Sequence, residues 1–369
     1  PYALALIRER LIENPPREAP ELIPILPGER YGFGPFEAEP IRVTHSIADA
    51  TALALRTPAG TIIHTGDFKI DPEPGDNEHF DRARFQALGD EGVRLLFSDS
   101  TNIDSEGSSG SEAGVGDVLF DLVDESPGRV VITLFASNTH RLRSVIDIAR
   151  RTRRKLCWLG RSVQTHARVA AGVGYLDRGE DLIVTPQQAA EMPRARVLFA
   201  ATGSQGEPPS ALARLASGTH PYLQLTPGDT VILSSRIIPG NERDVLGVMD
   251  ALEKRGVRVV ERHGLRGVHV SGHAQREEQR QMIELVRPST FVPVHGTFHH
   301  LRRHAELAAE LGIRDTLLAQ NGDVIEIDAR SARITDRVHT GRVHVSRGTD
   351  VGDDLLADRA RLAEVGIVS

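Results

Sequence analysis

Cysteine is all but missing from this sequence. Among 369 residues there is one, Cys157, so no internal disulfide can form and no thiolate zinc site can be built; any metal would have to be held by histidines and carboxylates. Beside Trp158 in an apolar stretch, Cys157 reads as core. Also missing is any run near the ~18 to 20 apolar residues that a membrane span needs, and the opening Pro1-Tyr2-Ala3-Leu4 lacks the charged and apolar regions of a signal peptide. These absences predict a cytoplasmic protein without a membrane partner. Internal repeats are lacking, and the one low-complexity tract is the short Gly/Ser stretch SEGSSGSEAGVG at 105–116. Net positive charge is lacking too: the formal charge is −7, which excludes holding a polyanion by bulk charge alone. With 40% hydrophobic residues, the chain can bury two packed domains and has no compositional sign of disorder.

What is present begins with a local basic patch. Arg141, Arg143, Arg150, Arg151, Arg153, Arg154 and Lys155 stand against a single acid, Asp147, on a predicted helix. Such a strip is either an ordinary solvated face or a track for phosphates. Apolar spacing predicts a helix over 2–13, closed by Pro15, Pro16 and Pro20, and then a β-rich region with strands at 41–43, 52–55, 61–64 and 93–97. From about residue 111 helix and buried strand alternate: helices at 115–124, 139–151 and 242–255, strands at 130–135, 197–200, 230–234 and 257–261. That rhythm predicts a parallel sheet flanked by helices. Helices at 275–286 and 299–311 follow, with strands at 290–294, 324–327 and 333–336. The middle therefore reads as an inserted domain, entered through 105–116 and left through 264–272.

Polar residues collect immediately after apolar runs, where a strand delivers side chains to a sheet edge. They are Thr44-His45-Ser46, Thr65-Gly66-Asp67, Ser98-Asp99-Ser100-Thr101-Asn102, Ser271-Gly272-His273-Ala274 and Pro293-Val294-His295-Gly296. One strand-end histidine is usually a satisfied structural residue; three such histidines with two aspartates point to metal, since an aspartate has two oxygens and can bridge two ions.

The segments THSIADA (44–50), HTGDFKID (64–71), SDSTN (98–102), FASNTHR (135–141), ATGSQGEP (201–208), SSRIIPGNE (234–242), HVSGHA (269–274), PVHG (293–296) and NGDVI (321–325) resemble, in order and over nearly the whole chain, the ribonuclease J family of metallo-β-lactamase-type enzymes. The resemblance implies an α/β fold, a metallo-β-lactamase αββα sandwich with an inserted β-CASP domain. It divides the chain into 1–107 and 271–345 for the sandwich, 108–270 for the insertion, and 346–369 for the start of a linker to a further domain.

It further implies two zinc ions, with His45 a ligand of one, Asp67 bridging both and His295 a ligand of the second. Asp99 matches the first acidic motif of the insertion family, and His273 the histidine proposed as general acid. His269, Val270, Ser271, Gly272 and His273 would line a phosphate pocket with Ser137, Asn138, Ser204 and Gln205. Asp350, in GTDVGDD, resembles a position that holds a structural cation such as Ca2+ in some relatives; a solvated acidic turn explains it equally well. The implied activity is hydrolysis of RNA, both 5′-to-3′ from a 5′-monophosphate end and internally, in RNA maturation and decay. Homodimers or homotetramers and an RNA-decay complex are the implied assemblies.

These residue types suit that chemistry. Paired zinc ions acidify a water and polarise a phosphate, and an imidazole, whose ordinary pKa is ~6.5, can protonate a leaving oxygen near neutral pH. Two departures stand out. The motif His-x-His-x-Asp-His does not occur in the sequence and would precede Pro1, so the chain is expected to be truncated at both ends; HHLRRH at 299–304 has the wrong spacing to replace it. Thr297 stands where the family has an acidic residue after PVHG. A metal-free RNA-binding scaffold and a small-molecule hydrolase are the competing expectations, the first resting on the missing motif and the second opposed by SGHA and PVHG.

Overall fold

The computed structural model describes residues 1–261 and 267–341, and the backbone of 345–346 and 349–350. The chain divides into two units, Pro1–Leu318 and Ala319–Ser369. In the first, helix α1 (Tyr2–Glu13) precedes β1 (Tyr31–Phe33), β2 (Phe36–Arg42), β3 (Thr51–Thr57) and β4 (Gly60–His64), then α2 (Arg82–Glu91) and β5 (Leu95–Asp99). The alternating middle follows as α3 (Glu112–Asp124), β6 (Val130–Thr133), α4 (Thr139–Arg151), β7 (Lys155–Leu159), α5 (Arg161–Gly172), α6 (Pro186–Glu191), β8 (Val197–Ala201), α7 (Ala211–Ser217), β9 (Thr230–Leu233), α8 (Glu242–Glu253) and β10 (Arg258–Val260). The unit closes with α9 (Arg276–Val286), β11 (Thr290–Val294), α10 (Phe298–Glu310) and β12 (Asp315–Thr316).

Two sheets result. The seven-stranded one runs β1-β2-β3-β4-β5-β11-β12, antiparallel as far as β4 and parallel from there on. Its first strands form a meander, tight at the β1–β2 and β3–β4 turns and longer at 43–50, the link that carries His45, whereas β5 and β11 are brought side by side across the whole insertion. Ala52, Ala54, Ile63, Leu96 and Phe291 bury one face against Phe85 and Leu88 of α2, Met282 and Ile283 of α9, and Leu307 of α10. On the other face Leu53, Leu55, Ile62 and Phe97 stay partly exposed, Leu53 at 39%.

The insertion's sheet is wholly parallel, in the order β10-β9-β6-β8-β7. Its inner strands VVIT, VLFAA and TVIL are buried at every position, as expected of a parallel strand with helices on both sides. Cys157 lies in β7 with no exposure, and burial pushes its thiol up to about 12, which makes it inert core. The second unit contributes a hairpin of β13 (Asp323–Ile327) and β14 (Ala332–Arg337) and the short pair β15 (Val345–Ser346) and β16 (Thr349–Asp350). The side chain of Asp350, and residues 264–266 of the expected exit loop, lie outside the described residues.

The basic helix does not present a strip for phosphates. Arg141 on α4 is fully buried, paired with Glu112 of α3 at 2.9 Å and donating to the carbonyls of Ser234 and Val268. Arg143 donates to the carbonyls of Gly75 and Tyr175, and Arg154 to those of Gly128, Val123 and Ser126. Arg150 pairs with Asp177, while Arg151 pairs with Asp147 and covers the Phe120 ring. The guanidinium fork holds several carbonyls at once, so most of this charge is spent on joining helices and loops. Losing one partner of the buried Arg141–Glu112 pair would leave an uncompensated charge, a loss of about 3–5 kcal/mol.

Candidate metal centre

Strands β5 and β11 are parallel neighbours with Val294 level with Asp99, so their carboxyl ends deliver Asp99 and His295 to one spot. Asp67 arrives on the turn after β4, which is tied to β5 by the bond from Thr65 N–H to the Phe97 carbonyl. His45 follows β2 and is held beside the same turn by the bond from Lys69 N–H to the Thr44 carbonyl. His273 sits between the insertion and α9.

Potential ligand atoms of Asp67, Asp99, His273 and His295 all lie within 4.8 Å of one another. His295 Nδ1 is 3.2 Å from Asp67 Oδ1 and 3.3 Å from Asp99 Oδ1, while His273 Nδ1 bonds Asp99 Oδ2 at 2.7 Å. Thr101 Oγ1 donates to Asp99 Oδ1 at 2.6 Å, and Gln279 donates to the Asp99 carbonyl. His45 stands just outside the group, its Nε2 3.9 Å from Asp67 Oδ2 and its Nδ1 2.7 Å from the Gly272 carbonyl. That second contact fixes the ring and leaves Nε2 to face the cluster, as is usual for a histidine ligand.

The backbone is special at two points. His295 has φ 59°, uncommon for a residue other than glycine and frequent at sites whose geometry is enforced by their surroundings. A Cβ on Gly272 would lie 2.8 Å from His45 Cε1 and 2.9 Å from Ser46 Oγ. Only glycine permits that approach.

The electrostatics are those of a cation site. Burial opposes ionisation of Asp99, but hydrogen bonds from His273, His295 and Thr101 outweigh it and hold the carboxyl far below the usual range. Asp67 is lowered chiefly by its hydrogen bond with His295. His295 is correspondingly pushed up to about 10 by Asp67 and then Asp99, so without metal the imidazolium itself is the neutralising cation. Two carboxylates and three imidazoles facing one another, with no thiolate, form a donor set that fits zinc.

Below the cluster, His304 is fully buried with Nδ1 3.0 Å from Ser100 Oγ, and burial lowers it to about 3. Its unfolded value is ~6.5, so as pH falls from ~6.5 towards 3 the unfolded chain takes up a proton the folded one refuses, and this contribution to stability is lost. The urea midpoint of metal-free protein should therefore fall less between about pH 7 and about pH 4.5 in His304→Gln than in the parent. Parallel losses in the two proteins would remove His304 from that account.

The phosphate-pocket residues are placed unevenly. Ser204 and His269 line one cleft of about 820 Å³, together with Ser235 and Arg236. Ser137 is half-buried before α4, and Asn138 is buried as the cap of α4, accepting from Arg141 N–H. Gln205 is buried with its amide spent on the Arg236 carbonyl and the Ile238 N–H, and Val270 packs its side chain against the insertion's apolar core. Ser271 Oγ accepts from the Asn102 amide and from His273 N–H. Thr297 caps α10 in a reciprocal pair with His300, and the partners of His295 Nδ1 are Asp67, Asp99 and Thr101. His64 stacks on Phe97 and accepts from Gly66 N–H; it is not one of the four clustered residues, although Asp67 and Asp99 are near enough to act on it electrostatically. Asn102 stands in the strand-end run SDSTN and Arg236 in the segment SSRIIPGNE, but neither had been assigned a role at the site.

A mixed sheet with the cluster at its strand ends, carrying a parallel-sheeted insertion, defines a member of the metallo-β-lactamase superfamily with a β-CASP domain. Residues 127–252 match the ribonuclease J β-CASP domain, and residues 256–317 match the Zn-dependent metallo-hydrolase RNA specificity domain. Curated proteins named ribonuclease J align along the chain. The one from Synechocystis sp. is 38% identical over 100% of the chain and 58% of its own length, and the one from Mycolicibacterium smegmatis 41% identical over 100% and 66%. That from Mycobacterium tuberculosis is 41% identical over 98% and 65%. The chain thus spans under two thirds of the length of each of these relatives. A crystal structure of a protein of unknown function from Enterococcus faecalis V583 shares the fold, with TM-score 0.59 and 17% identity over 90% of this chain and 73% of that one. The chain belongs to the ribonuclease J family.

Proposed function

We propose that the chain forms the catalytic part of a zinc-dependent ribonuclease that hydrolyses RNA 5′-to-3′ and internally. The observation that carries the reading is the convergence of Asp67, Asp99, His273 and His295 within 4.8 Å. Residues 108–270 act as the insertion between the sandwich segments 1–107 and 271–345. Two zinc ions, held by His45, Asp67 and His295 with ligands from elsewhere in the protein, would acidify the attacking water and polarise the scissile phosphate. Asp67 turns one carboxylate oxygen towards His45 and the other towards His295, which supports its reading as a ligand that the two ions would share.

Water would give up one proton to solvent and add to phosphorus as hydroxide, the bond to the 3′ oxygen would break, and His273 would give that oxygen its proton and regain one from solvent. Asp99 holds His273 through Nδ1, which leaves Nε2 as the end that addresses the leaving group. His269 to His273, with Ser137 and Ser204, receive the terminal phosphate of the RNA. Dimers or tetramers, and a place in RNA maturation and decay, accompany this reading as the family implies.

A pocket of fixed size distinguishes 5′ ends. RNA with a 5′-monophosphate should be degraded processively and at least about tenfold faster than the same RNA with a triphosphate, the worth of roughly 1.4 kcal/mol of differential recognition. Gel-resolved time courses on both substrates, with and without chelator, measure this. Equal rates would discard the exonuclease reading, and cleavage that survives complete metal removal would discard the zinc enzyme.

A further inference from the structure

We infer that Arg236 is a positioning residue for the general acid, acting through the side-chain amide of Asn102; this rests on the ribonuclease reading of His273. Asn102 follows β5 in the seven-stranded core and is only 3% exposed. Its amide makes three bonds. Nδ2 donates to the His273 carbonyl at 3.0 Å and to Ser271 Oγ at 2.8 Å, and Oδ1 accepts from Arg236 Nη1 at 2.6 Å. Ser271 Oγ in turn accepts from His273 N–H at 3.1 Å. Asn102 therefore grips the backbone of His273 on both sides, directly at its carbonyl and through Ser271 at its N–H.

An amide can be seated in two orientations that differ only in which end is oxygen. Turned over, Asn102 would set its oxygen against the His273 carbonyl, acceptor to acceptor, and release the loop. The Arg236 guanidinium, a donor that cannot accept, forbids that orientation. Arg236 comes from the insertion, on the segment after β9, where Gln205 Nε2 holds its carbonyl at 2.9 Å and Gln205 Oε1 accepts from Ile238 N–H at 2.8 Å. The insertion thus reaches across to the core and sets the direction of one amide, and through it the seat of His273 against Asp99. An ordinary surface arginine lining an RNA cleft would do something different: it would hold phosphate.

The two roles separate in kinetics. With an RNA oligonucleotide as substrate and metal-loaded protein, Arg236→Met should lower kcat by about tenfold or more while KM moves less than about threefold, since the defect lies in transition-state geometry. Arg236→Lys keeps a donor and should recover most of that loss. Asn102→Ala should reproduce the kcat defect, and the double variant should be no worse than the worse single one, because both act on one contact. Independently of any substrate, the Asn102 side-chain amide resonances of the parent should show slow hydrogen exchange that Arg236→Met abolishes. A rise in KM with kcat preserved, multiplicative effects in the double variant, an active Asn102→Ala, or unaltered Asn102 resonances would each overturn the assignment. A parent that holds metal but does not cleave RNA would instead strike the ribonuclease reading, leaving the resonances to decide the role of Arg236.

Discussion

Asp67→Ala should empty the metal site and stop catalysis in the same variant. Among the described residues Asp67 is the only carboxylate paired with both His45 and His295, so on the proposed ligand set its removal would withdraw a ligand from each ion. Electrophilic stabilisation by such ions is worth several kcal/mol, and each 1.36 kcal/mol is tenfold, so the rate should fall by roughly 10³-fold or more. Elemental analysis after gel filtration should show both ions depleted together. The fold should survive, because Asp67 is half-exposed, with 47% of its side chain accessible, and contributes nothing to the apolar core. Retention of two ions per chain with near-parental turnover would show that the bridge is elsewhere, and Asp99, whose ligand atoms share the cluster, would be the first alternative.

His273→Ala should behave in the opposite manner, keeping metal and losing turnover. General acid catalysis contributes about 10²–10⁴-fold, and in the proposed role His273 would offer it from a ring whose Nδ1 is fixed on Asp99. The deficit should shrink sharply on RNA whose scissile 3′ oxygen is replaced by sulfur, a leaving group that departs without a proton. A deficit of the same size on both substrates would deny His273 the proton-transfer role. Loss of zinc from this variant would make it a ligand, which its place among the four clustered residues makes a concrete alternative.

The fold was legible where period and burial agree. Helices α1 and α4 and strand β11 fall on their expected residues, because α4 has strong amphipathic spacing after the Asn138 cap and TFVPV is a short apolar run closed by a glycine two residues on. Strand β7 and helix α5 were not anticipated: KLCWL is short and charged at its start, and α5 starts after Gly160 without a side-chain cap. Burial of Arg141 and Arg154 was equally invisible, since composition shows charge but not the carbonyls that absorb it.

At the site, strand-end position picked out the four clustered residues, two of them in roles other than metal ligand. It could not show that Asp99 and His273 would close the cluster, nor that His295 would take a left-handed backbone. Both follow from the register of β5 with β11 and from the loop crossing between the two sheets.

That register also sets an order of events on the ribosome. Strand β5 leaves the exit tunnel early and has β4 to pair with, but its other neighbour, β11, is translated only after the whole five-stranded insertion. At about 5–20 residues per second the half-sheet waits roughly ten to forty seconds for its partner, long enough for the insertion to complete its own hydrophobic core, since domains fold as units during synthesis. Asp67 and Asp99 are on display through that interval with neither His273 nor His295 beside them. A nascent chain that stalls inside the insertion therefore carries two carboxylates and no cluster, and whatever chemistry the cluster performs is withheld from the messenger still threaded through the ribosome that is making it.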